Sequence, residues 1–351
     1  MSHQNTSDPR PRRSRPLDKA RGAPSNIEGV NLAYAAARQT FAFRHRHEQG
    51  IVRVSGADRL SWLNGLLTND VRGGDACYSA WLTPQGRMIT DMFVVGAGDD
   101  TLLEVPASLA APLAQRLDGM VFTEDVRIAD VSDAILPLDV CGPEVGFGLA
   151  ALESSLGSDG PPPMRRVDGP VEGAVLYVAR AMFAGALESL THAGATPLDD
   201  ETAEVLRVEA GIPRFLVDMN EETIPLEAGL DDAISHTKGC YVGQEIIVRI
   251  RDRAHGRVAR HLVGLLVDGD GVPAAGQPVQ LDDRQVGRLT SAVRSVALGR
   301  PIGLATLHRD AATVGTVVTL ADGLTATVAT LPFVPLPPVP GTVKDVLGRE
   351  S

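Results

Sequence analysis

The sequence predicts an α+β protein with antiparallel layers of strands and helices, a second α+β unit and a small C-terminal β-barrel. Three observations predict this class. Strand and helix patterns alternate over residues 51–211 without the glycine fingerprint of a dinucleotide-binding parallel sheet. From residue 257 onward, short strands rich in Val, Leu and Thr follow one another between Gly and Asp turns, which is typical of a small barrel. The 351 residues are also enough for two or three domains with buried cores.

Composition and charge narrow the range of functions. Hydrophobic residues make up 44% of the chain, and no apolar run approaches the roughly 18–20 residues that a membrane-spanning helix needs. The net charge of −11 argues against a general nucleic-acid binder, because counterion release requires a basic surface. Contact with tRNA is therefore expected only if a local basic site provides it. We expect a monomer without membrane contact.

The cysteines indicate the redox compartment. Cys77, Cys141 and Cys240 are widely spaced and form no C-x-x-C pair. They are neither a disulfide framework nor a zinc site, which favours a reducing compartment. We therefore predict a cytoplasmic protein. Cys77 and Cys141 accompany apolar strands and are expected to be buried.

Both ends of the chain are predicted to lie outside the fold. Residues 1–29 are rich in Arg and Pro and lack the apolar core of a secretory signal. Prolines, Asp8 and Asp18 interrupt the amphipathic helix that a transit peptide needs, so a disordered tail is favoured. Residues 336–351 are Pro-rich and are predicted to form a second disordered tail.

The first unit opens with an alternating strand at 51–54 and a helix at 58–67 whose leucines lie on one face. Thr68-Asn69-Asp70 then either ends the helix through side-chain hydrogen bonds to the backbone or forms one wall of a pocket. Two strands within 78–95 flank a turn rich in breakers. The second of them carries Asp91 as a single carboxylate inside an apolar run, where an aspartate is exposed, paired or part of a site.

A helix with an acidic cap at Asp199-Asp200-Glu201 is predicted to run to Gly211. Gly211 is a natural C′ residue, and a proline two positions later prevents the helix from continuing. Arg207 and Glu209 lie two residues apart near the helix end and therefore face different surroundings. Taken by itself, Glu209 is best explained as a surface carboxylate.

The most informative stretch runs from Lys238 to Glu245. It combines a thiol, an aromatic ring, two glycines, a lysine, an amide and a carboxylate in eight residues. The glycines indicate a sharp turn or a close approach of the backbone. After Gly243, a stripe of isoleucines suits a helix, while the β-branched run suits a strand. If a helix begins there, its N-terminus and Lys238 both favour the thiolate of Cys240; a thiol that only packs is the alternative.

The octet Lys238-Gly239-Cys240-Tyr241-Val242-Gly243-Gln244-Glu245 resembles, at all eight positions, the K-G-C-Y-x-G-Q-E signature of the YgfZ-type folate-binding proteins. That family comprises bacterial tRNA-modification factors and mitochondrial iron–sulfur assembly factors. It is related to the glycine-cleavage T-protein, an aminomethyltransferase. Weaker matches extend the resemblance over residues 30–335. They are Gly56-x-Asp58-Arg59, Thr68-Asn69-Asp70, the R-x-E-A-G-x-P string at 207–213, Pro225-Leu226-Glu227-Ala228-Gly229-Leu230 and Gly287-Arg288-Leu289-Thr290-Ser291.

The resemblance implies an aminomethyltransferase-like architecture with two interleaved antiparallel α+β units and the barrel. Residues 30–140 together with 205–256 would form the folate-binding core. Residues 141–204 would form the second unit, and residues 257–335 the barrel. It also favours a helix after Gly243 that ends near residue 256.

The resemblance further implies that tetrahydrofolate, with or without a polyglutamate tail, is the bound cofactor. Glu209 would bind the pterin edge, because a carboxylate can accept two N–H donors at once. Asp91 would lie near the reactive folate nitrogens, although Thr90 and Arg87 depart from the G-G-x-x-D-D segment of aminomethyltransferases. The expected pocket residues are Arg207, Lys238, Tyr241 and Gln244, and the expected ligands of the glutamyl tail are Arg249 and Arg253.

Two residues are predicted to be catalytic, Asp91 and Cys240. The first hypothesis is a tetrahydrofolate-binding YgfZ-type factor that supports assembly or repair of iron–sulfur clusters and, indirectly, cluster-dependent tRNA modification, with iron–sulfur client or assembly proteins as partners. Cys240 would then be a redox or cluster-proximal thiol, although one thiol is too few ligands to hold a cluster. The alternative is a folate-dependent aminomethyltransferase that relies on Asp91 and needs no cysteine. A third reading is a non-enzymatic binding scaffold, so whether the chain is an enzyme is left open.

Overall fold

The computed structural model describes residues 32–73, 76–156, 164–167, 173–253, 257–321 and 323–334. The predicted tails, 1–29 and 336–351, lie outside the described residues. The helices are α1 (Leu32–Gln39), α2 (Arg59–Leu66), α3 (Ala107–Asp118), α4 (Val145–Leu156), α5 (Arg180–His192), α6 (Asp200–Glu209) and α7 (Gln244–Arg253). Short 3-10 helices lie at Pro225–Ala228, Asp231–Ala233 and Arg309–Ala311. Across these described ranges, no helix combines the length and the apolar character needed to cross a membrane.

The strands form two five-stranded sheets and one closed barrel. They are β1 (Ala42–His45), β2 (Gln49–Ser55), β3 (Ala76–Leu82), β4 (Met88–Ala97), β5 (Asp100–Pro106), β6 (Arg127–Asp130), β7 (Ile135–Cys141), β8 (Met164–Val167), β9 (Gly173–Ala179), β10 (Thr196–Pro197), β11 (Arg260–Val267), β12 (Pro278–Leu281), β13 (Arg284–Arg294), β14 (Pro301–His308), β15 (Val317–Leu320) and β16 (Thr325–Ala329).

The sheets confirm the predicted fold class. The first sheet has the order β3-β4-β5-β2-β6 and the second has the order β10-β1-β7-β9-β8. The barrel is closed and has the order β11-β14-β13-β12-β15-β16, as the short C-terminal strands of the sequence predict. The ladders between the described strands are antiparallel except for a two-residue parallel pair between β1 and β10. The chain is therefore an α+β protein with a C-terminal β-barrel.

The second sheet takes one strand from before the first sheet in the chain and its other strands from after it. β1 comes early in the chain but pairs with β7 and β10. The predicted boundary after residue 140 falls inside β7, which pairs with β9 along its whole length. The division into 30–140 with 205–256, 141–204 and 257–335 stays a prediction.

The first sheet buries both of its faces. On one face, Trp81 and Leu103 pack under α2 and α3. On the other face, Val95 and Leu102 meet Val175 of the second sheet. Successive residues of a strand point to opposite faces. The side of β4 that carries Val95 therefore also carries Asp91, four residues earlier in the strand.

The second glycine of the octet is required by a close backbone contact. Gly243 precedes α7 and has a φ of +84°, in the left-handed region that favours glycine. A Cβ at this position would lie 2.6 Å from the carbonyl oxygen of Thr83 and 3.3 Å from the Cα atom of Gly86. Gly86 itself has a φ of +73° and approaches Ile246 of α7. The β3–β4 turn and the start of α7 fit together because both positions lack a side chain.

Gly243→Ala is expected to lower the free energy of unfolding by about 1–3 kcal/mol, because it adds both backbone strain and a steric overlap. The matched control is Gly65→Ala. Gly65 lies inside α2 with nothing within 4 Å of its added Cβ, and alanine there is expected to stabilise the protein by about 0.5–1 kcal/mol. Urea unfolding followed by circular dichroism measures both changes. Equal effects of the two substitutions would contradict the close contact.

Candidate functional site

Asp91 lies on β4, on the face of the first sheet that packs toward the second sheet. The hydroxyl of Tyr78 on β3 donates a hydrogen bond of 2.6 Å to Oδ2 of Asp91. Asp91 pairs across the ladder with Ala80, so Tyr78 stands diagonally opposite it. The Tyr78 ring packs on Phe93, with 4.7 Å between the ring centroids and 34° between the planes. A half-buried carboxylate therefore lies beside a pair of aromatic rings.

A second carboxylate, Glu104 of β5, occupies the same face of the sheet. It stands opposite Phe93 in the ladder and is 2% exposed. The hydroxyl of Tyr177 on β9 donates to Oε2 of Glu104 at 2.6 Å, and Nη2 of Arg46 lies 3.0 Å from Oε1. A charged and hydrogen-bonded contact of this kind is stronger than a neutral one. Glu104 therefore links the two sheets.

Burial is the main reason that the pKa of Asp91 rises to about 6, from an ordinary value near 3.9. The negative charge of Glu104 adds to this rise, and the hydrogen bond from Tyr78 opposes it. Because this pKa is higher in the folded protein than in the unfolded chain, the ionised carboxylate costs stability at pH 7. That cost is relieved as the pH falls from about 6 to about 4. Asp91 can exchange its proton close to neutral pH.

Glu209 is fully buried at the end of α6, and three elements share its carboxylate. Oε2 accepts hydrogen bonds from the hydroxyl of Tyr34 at 2.6 Å and from Nη2 of Arg38 at 3.0 Å, both on α1. Oε1 accepts hydrogen bonds from the hydroxyl of Ser295 at 2.6 Å and from the backbone N–H of Ala297 at 3.1 Å. These four bonds use the lone pairs of both oxygens. The pterin contact of Glu209 stays a prediction, and this geometry does not support it.

Arg207 is also fully occupied. Its guanidinium binds Glu204 through two bonds of 2.9 and 2.6 Å, and Nη1 donates to Asp218 at 2.7 Å and to the carbonyl of Ile212 at 2.6 Å. Nη2 also donates to the hydroxyl of Ser291 at 2.7 Å. These bonds use all five N–H groups of the side chain. Arg207 thus joins α6, the loop after it and barrel strand β13, and its predicted folate contact stays a prediction.

Lys238, the first residue of the octet, caps α2. Its Nζ donates hydrogen bonds of 2.7, 2.7 and 2.8 Å to the carbonyl oxygens of Asn64, Leu67 and Asn69. Carbonyl groups at a helix C-terminus have no partner within the helix. Nζ also lies 5.3 Å from the ring centroid of Tyr241, and burial lowers the pKa of Lys238 to about 8. The ammonium is thus held by the end of α2, and its predicted contacts with a pocket and with Cys240 stay predictions.

Other residues of the octet also have structural surroundings. Tyr241 is 7% exposed and packs in a core with Leu82, Met88 and Ile247. Gln244 is the first residue of α7, which confirms the helix favoured after Gly243. The predicted ligand roles of Tyr241 and Gln244 stay predictions.

Thr68-Asn69-Asp70 ties α2 to neighbouring segments. The hydroxyl of Thr68 donates to the carbonyl of Ala233 at 2.6 Å and accepts from the N–H of Ala80 at 2.9 Å. The amide of Asn69 donates to the carbonyl of Asp232 at 3.0 Å. Since Thr68 is fully buried, these bonds favour the interpretation as a helix ending over that as a pocket wall.

Cys240 is the exposed member of the three cysteines. It lies four residues before the start of α7. Cys141 is buried as expected, whereas Cys77 is only half-buried. Burial raises the pKa of Cys77 to about 11 and raises that of Cys141 well above its usual value.

The arginine run after the octet is paired within its own helix or next to it. Arg249 is exposed, and its Nη2 lies 2.7 Å from Oε1 of Glu245, one turn earlier. Arg251 contacts Asp252 and His236. Exposed pairs of this kind are screened by solvent and add little to stability. The side chain of Arg253, the last residue of α7, lies outside the described part of the structure. The binding of a glutamyl tail by Arg249 and Arg253 stays a prediction.

The structure therefore groups the predicted site residues differently from the sequence analysis. Asp91 is hydrogen-bonded to Tyr78 and shares its face of the sheet with Phe93 and Glu104. The sequence did not point to these three residues. The available signal was the turn at 82–87, because it sets the hairpin register that places Tyr78 and Asp91 on one face. In the described ranges, no hydrogen bond or ion pair joins Asp91 to Glu209.

A metal site would require several ligating side chains close together among the described residues. Among them, no group of three or more His, Cys, Asp or Glu side chains lies together in a way that could hold a metal ion.

Glu209→Ala is expected to lower the free energy of unfolding by about 3–5 kcal/mol, because Arg38 and three other donors lose a buried charged partner. The matched control, Glu188→Ala, removes an exposed glutamate of α5 and is expected to change stability by no more than about 0.5 kcal/mol. Urea unfolding of both variants provides the comparison. A Glu209→Ala protein as stable as the control would show that Glu209 is free to serve a ligand.

Cys240 is expected to react with iodoacetamide faster than Cys77 or Cys141 in the native protein, because it is exposed while burial keeps the other two thiols protonated. Peptide mass spectrometry over a time course measures each rate. Cys240→Ser should remove the fast phase, and unfolding should equalise the remaining cysteines. Faster labelling of Cys77 in the native protein would contradict the exposures.

Two domain families match this chain. Residues 24–189 match the GCVT N-terminal domain, and residues 260–335 match the glycine cleavage T-protein C-terminal barrel domain. The aminomethyltransferase of Rubrobacter xylanophilus is 29% identical over 305 residues, which cover 80% of this chain and 80% of that protein. The aminomethyltransferase of Bacillus subtilis is 26% identical over 320 residues, which cover 84% of this chain and 87% of that protein.

A solved structure shares the fold. The glycine cleavage system aminomethyltransferase T from Bartonella henselae has a TM-score of 0.76 at 18% identity, and the match covers 86% of this chain and 88% of that one. The structural likeness bears on the fold alone, while the two domain matches and the full-length relatives bear on ancestry. Together they show that the chain belongs to the glycine-cleavage T-protein superfamily.

Proposed function

We propose that this chain binds tetrahydrofolate against the Asp91 face of the first sheet and catalyses a folate-dependent aminomethyl transfer. The observation that carries the proposal is the half-buried carboxylate of Asp91, which Tyr78 holds by a hydrogen bond of 2.6 Å beside the ring of Phe93. The strand resembles the segment that supplies an aspartate near the reactive folate nitrogen in aminomethyltransferases. The relatives of that name, similar over most of this chain, support the same reaction.

The residues around Asp91 suit a reduced pterin. The packed rings of Tyr78 and Phe93 offer flat apolar surface for a heterocycle. A carboxylate beside them can accept hydrogen bonds from ring N–H groups. When bound, tetrahydrofolate supplies the nitrogen nucleophiles that take up the one-carbon unit.

The task of Asp91 follows from its charge state. With a pKa raised to about 6, Asp91 is mostly ionised at pH 7. Its pKa is also close enough to pH 7 for the carboxylate to take up a proton. It can accept the proton that a nitrogen loses on bonding to carbon. Tyr78 fixes the orientation of the carboxylate through Oδ2. The negative charge of Glu104 on the same face favours proton uptake by Asp91.

The departures from the family segment do not remove this carboxylate. Thr90 stands where the segment has its first aspartate, but it is fully buried on the opposite face of β4. Arg87 stands where the segment has its second glycine, and its Nη1 donates to the backbone carbonyl of Glu222. Thr90 therefore lies off the Asp91 face, and Arg87 precedes β4.

Asp91→Asn is expected to reduce tetrahydrofolate-dependent turnover of an aminomethyl donor by about 10²–10⁴-fold, the usual contribution of a general base. Near pH 7 the variant should be at least as stable as the parent protein, since the buried negative charge is removed. The matched control is Asp118→Asn, which removes an exposed charge at the end of α3 and should leave turnover unchanged.

The pH dependence provides a second measurement of the same prediction. Turnover by the parent protein should rise with pH, reach half of its maximum near pH 6 and level off about one pH unit higher, as Asp91 ionises. The residual turnover of Asp91→Asn should lack that step. A pH step retained in Asp91→Asn, or full turnover without Asp91, would remove this residue from the reaction.

A second candidate function rests on Cys240. The other octet side chains with described contacts serve the fold, whereas the thiol of Cys240 is exposed. The octet resembles the YgfZ-type signature, which favours a role in assembly or repair of iron–sulfur clusters and, through clients, in tRNA modification. The relatives that are named aminomethyltransferases support the first candidate, folate-dependent aminomethyl transfer, better than this one.

The two candidates differ in their need for the thiol. Cys240→Ser should leave tetrahydrofolate-dependent turnover intact if aminomethyl transfer is the function. It should abolish uptake of iron and sulfide from a [2Fe–2S] donor if the thiol serves clusters. Loss of turnover together with retained cluster uptake would contradict both assignments of Cys240.

A further inference from the structure

A cavity of about 600 Å³ lies between the loop that follows α6 and the outer face of the barrel. This volume is within the range of small-molecule sites. Its barrel wall carries Arg260 of β11 and two arginines of β13, Arg284 and Arg288. Its other wall is formed by residues 216–223 with part of the following 3-10 helix. Asp91 is not among its lining residues, so the cavity is not the site described above.

The three arginines of this wall are exposed. Their guanidinium groups form no ion pair or hydrogen bond with another residue in the parts of the chain that the structure describes. Arg260 pairs across the ladder with His308, and Arg288 pairs with Thr306, two residues earlier on the same strand, β14. Since neighbouring strands are about 4.8 Å apart, long side chains from both sides of β14 can reach one bound group.

The charges of the cavity are divided between its two walls. The three arginines stand on the barrel wall, and three carboxylates, Asp218, Glu222 and Glu227, stand on the opposite wall. Asp218 is bonded to the arginine of α6 and to Thr290, and Oε2 of Glu227 accepts the N–H of Ile224. The positive charge is therefore concentrated on the barrel wall. Guanidinium groups bind oxyanions through paired N–H donors.

The opposite wall contains a strained apolar residue. Leu216 has a φ of +69° and is 52% exposed, and bulky side chains rarely adopt this conformation. The loop is held in place because the N–H of Leu216 donates to the carbonyl of Met219 at 2.7 Å. Asp218 in between is anchored to Thr290 of the barrel at 2.6 Å. Leu216 and Met219 face the same cavity as Leu262 of β11.

From the positive wall and the strained apolar wall we propose that this cavity binds a small organic phosphate. The phosphate group lies on Arg260, Arg284 and Arg288, and the organic part packs on Leu216 and Met219. Three guanidinium groups match the double negative charge of a phosphate monoester better than the single charge of a carboxylate. This site does not depend on the proposed folate reaction.

Calorimetric titration of the full chain with phenyl phosphate, inorganic phosphate and benzoate tests the proposal. Phenyl phosphate should bind one to one and more tightly than either of the other two. The double variant Arg260→Gln, Arg288→Gln should weaken its binding by at least about tenfold, as expected for the loss of charge-assisted bonds. The matched control is Arg294→Gln, which removes an exposed arginine at the far end of β13 and should leave binding unchanged.

Leu216→Gly tests the apolar wall separately. It removes the positive-φ strain, so the melting temperature of the free protein should rise, and it should weaken phenyl phosphate without changing inorganic phosphate. The proposal is overturned if phenyl phosphate does not bind, if the double variant binds like the parent, or if Arg294→Gln loses as much affinity. Binding of benzoate or inorganic phosphate as tight as that of phenyl phosphate would also overturn it.

Discussion

The buried carboxylate of Glu209 is the contact on which the arrangement of α1, α6 and the barrel depends. Its four donors come from α1 and from the segment after β13, so no single element can shift without leaving a buried charge unsatisfied. Arg207, two residues earlier on α6, faces the other way and joins the loop and β13 in the same manner. The R-x-E spacing thus gives one helix two charged anchors on different sides. A string that resembles a ligand motif here has a complete structural explanation.

Residues of the octet likewise have structural roles, although the octet resembles a functional signature. Lys238 completes the end of α2, and Gly243 allows the β3–β4 turn to meet α7. These roles are structural and do not depend on any ligand or reaction. Cys240 is different, because its thiol is exposed between residues that serve the fold. The octet therefore constrains how the first sheet, α2 and α7 assemble more strongly than it specifies a substrate.

The fold could be predicted from the sequence to a large extent, and the site only in part. Strand periodicity and turn residues predicted the short strands of the barrel and the β3–β4 hairpin, because these signals are local. The pairing of β1 with β7 was missed, since contacts between distant strands leave no periodic trace. Asp91 was proposed from the sequence, but its hydrogen-bond partner Tyr78 lies on another strand, and the neighbouring Glu104 is held by Tyr177 and Arg46 only because the two sheets pack together. The hydrogen-bond partners of Glu209 and Lys238 come from distant parts of the chain, so burial at these positions could not be read from residue type.

The face that carries Asp91 also explains why two nearby carboxylates can have different tasks. Glu104 is held by the guanidinium of Arg46 and the hydroxyl of Tyr177, so its negative charge is matched by a neighbouring positive one. Asp91 receives a hydrogen bond from the neutral hydroxyl of Tyr78 and lies in the field of Glu104. Surroundings that differ in this way can give two carboxylates different roles. The proposed proton transfer by Asp91 rests on this difference between the surroundings of Asp91 and those of Glu104.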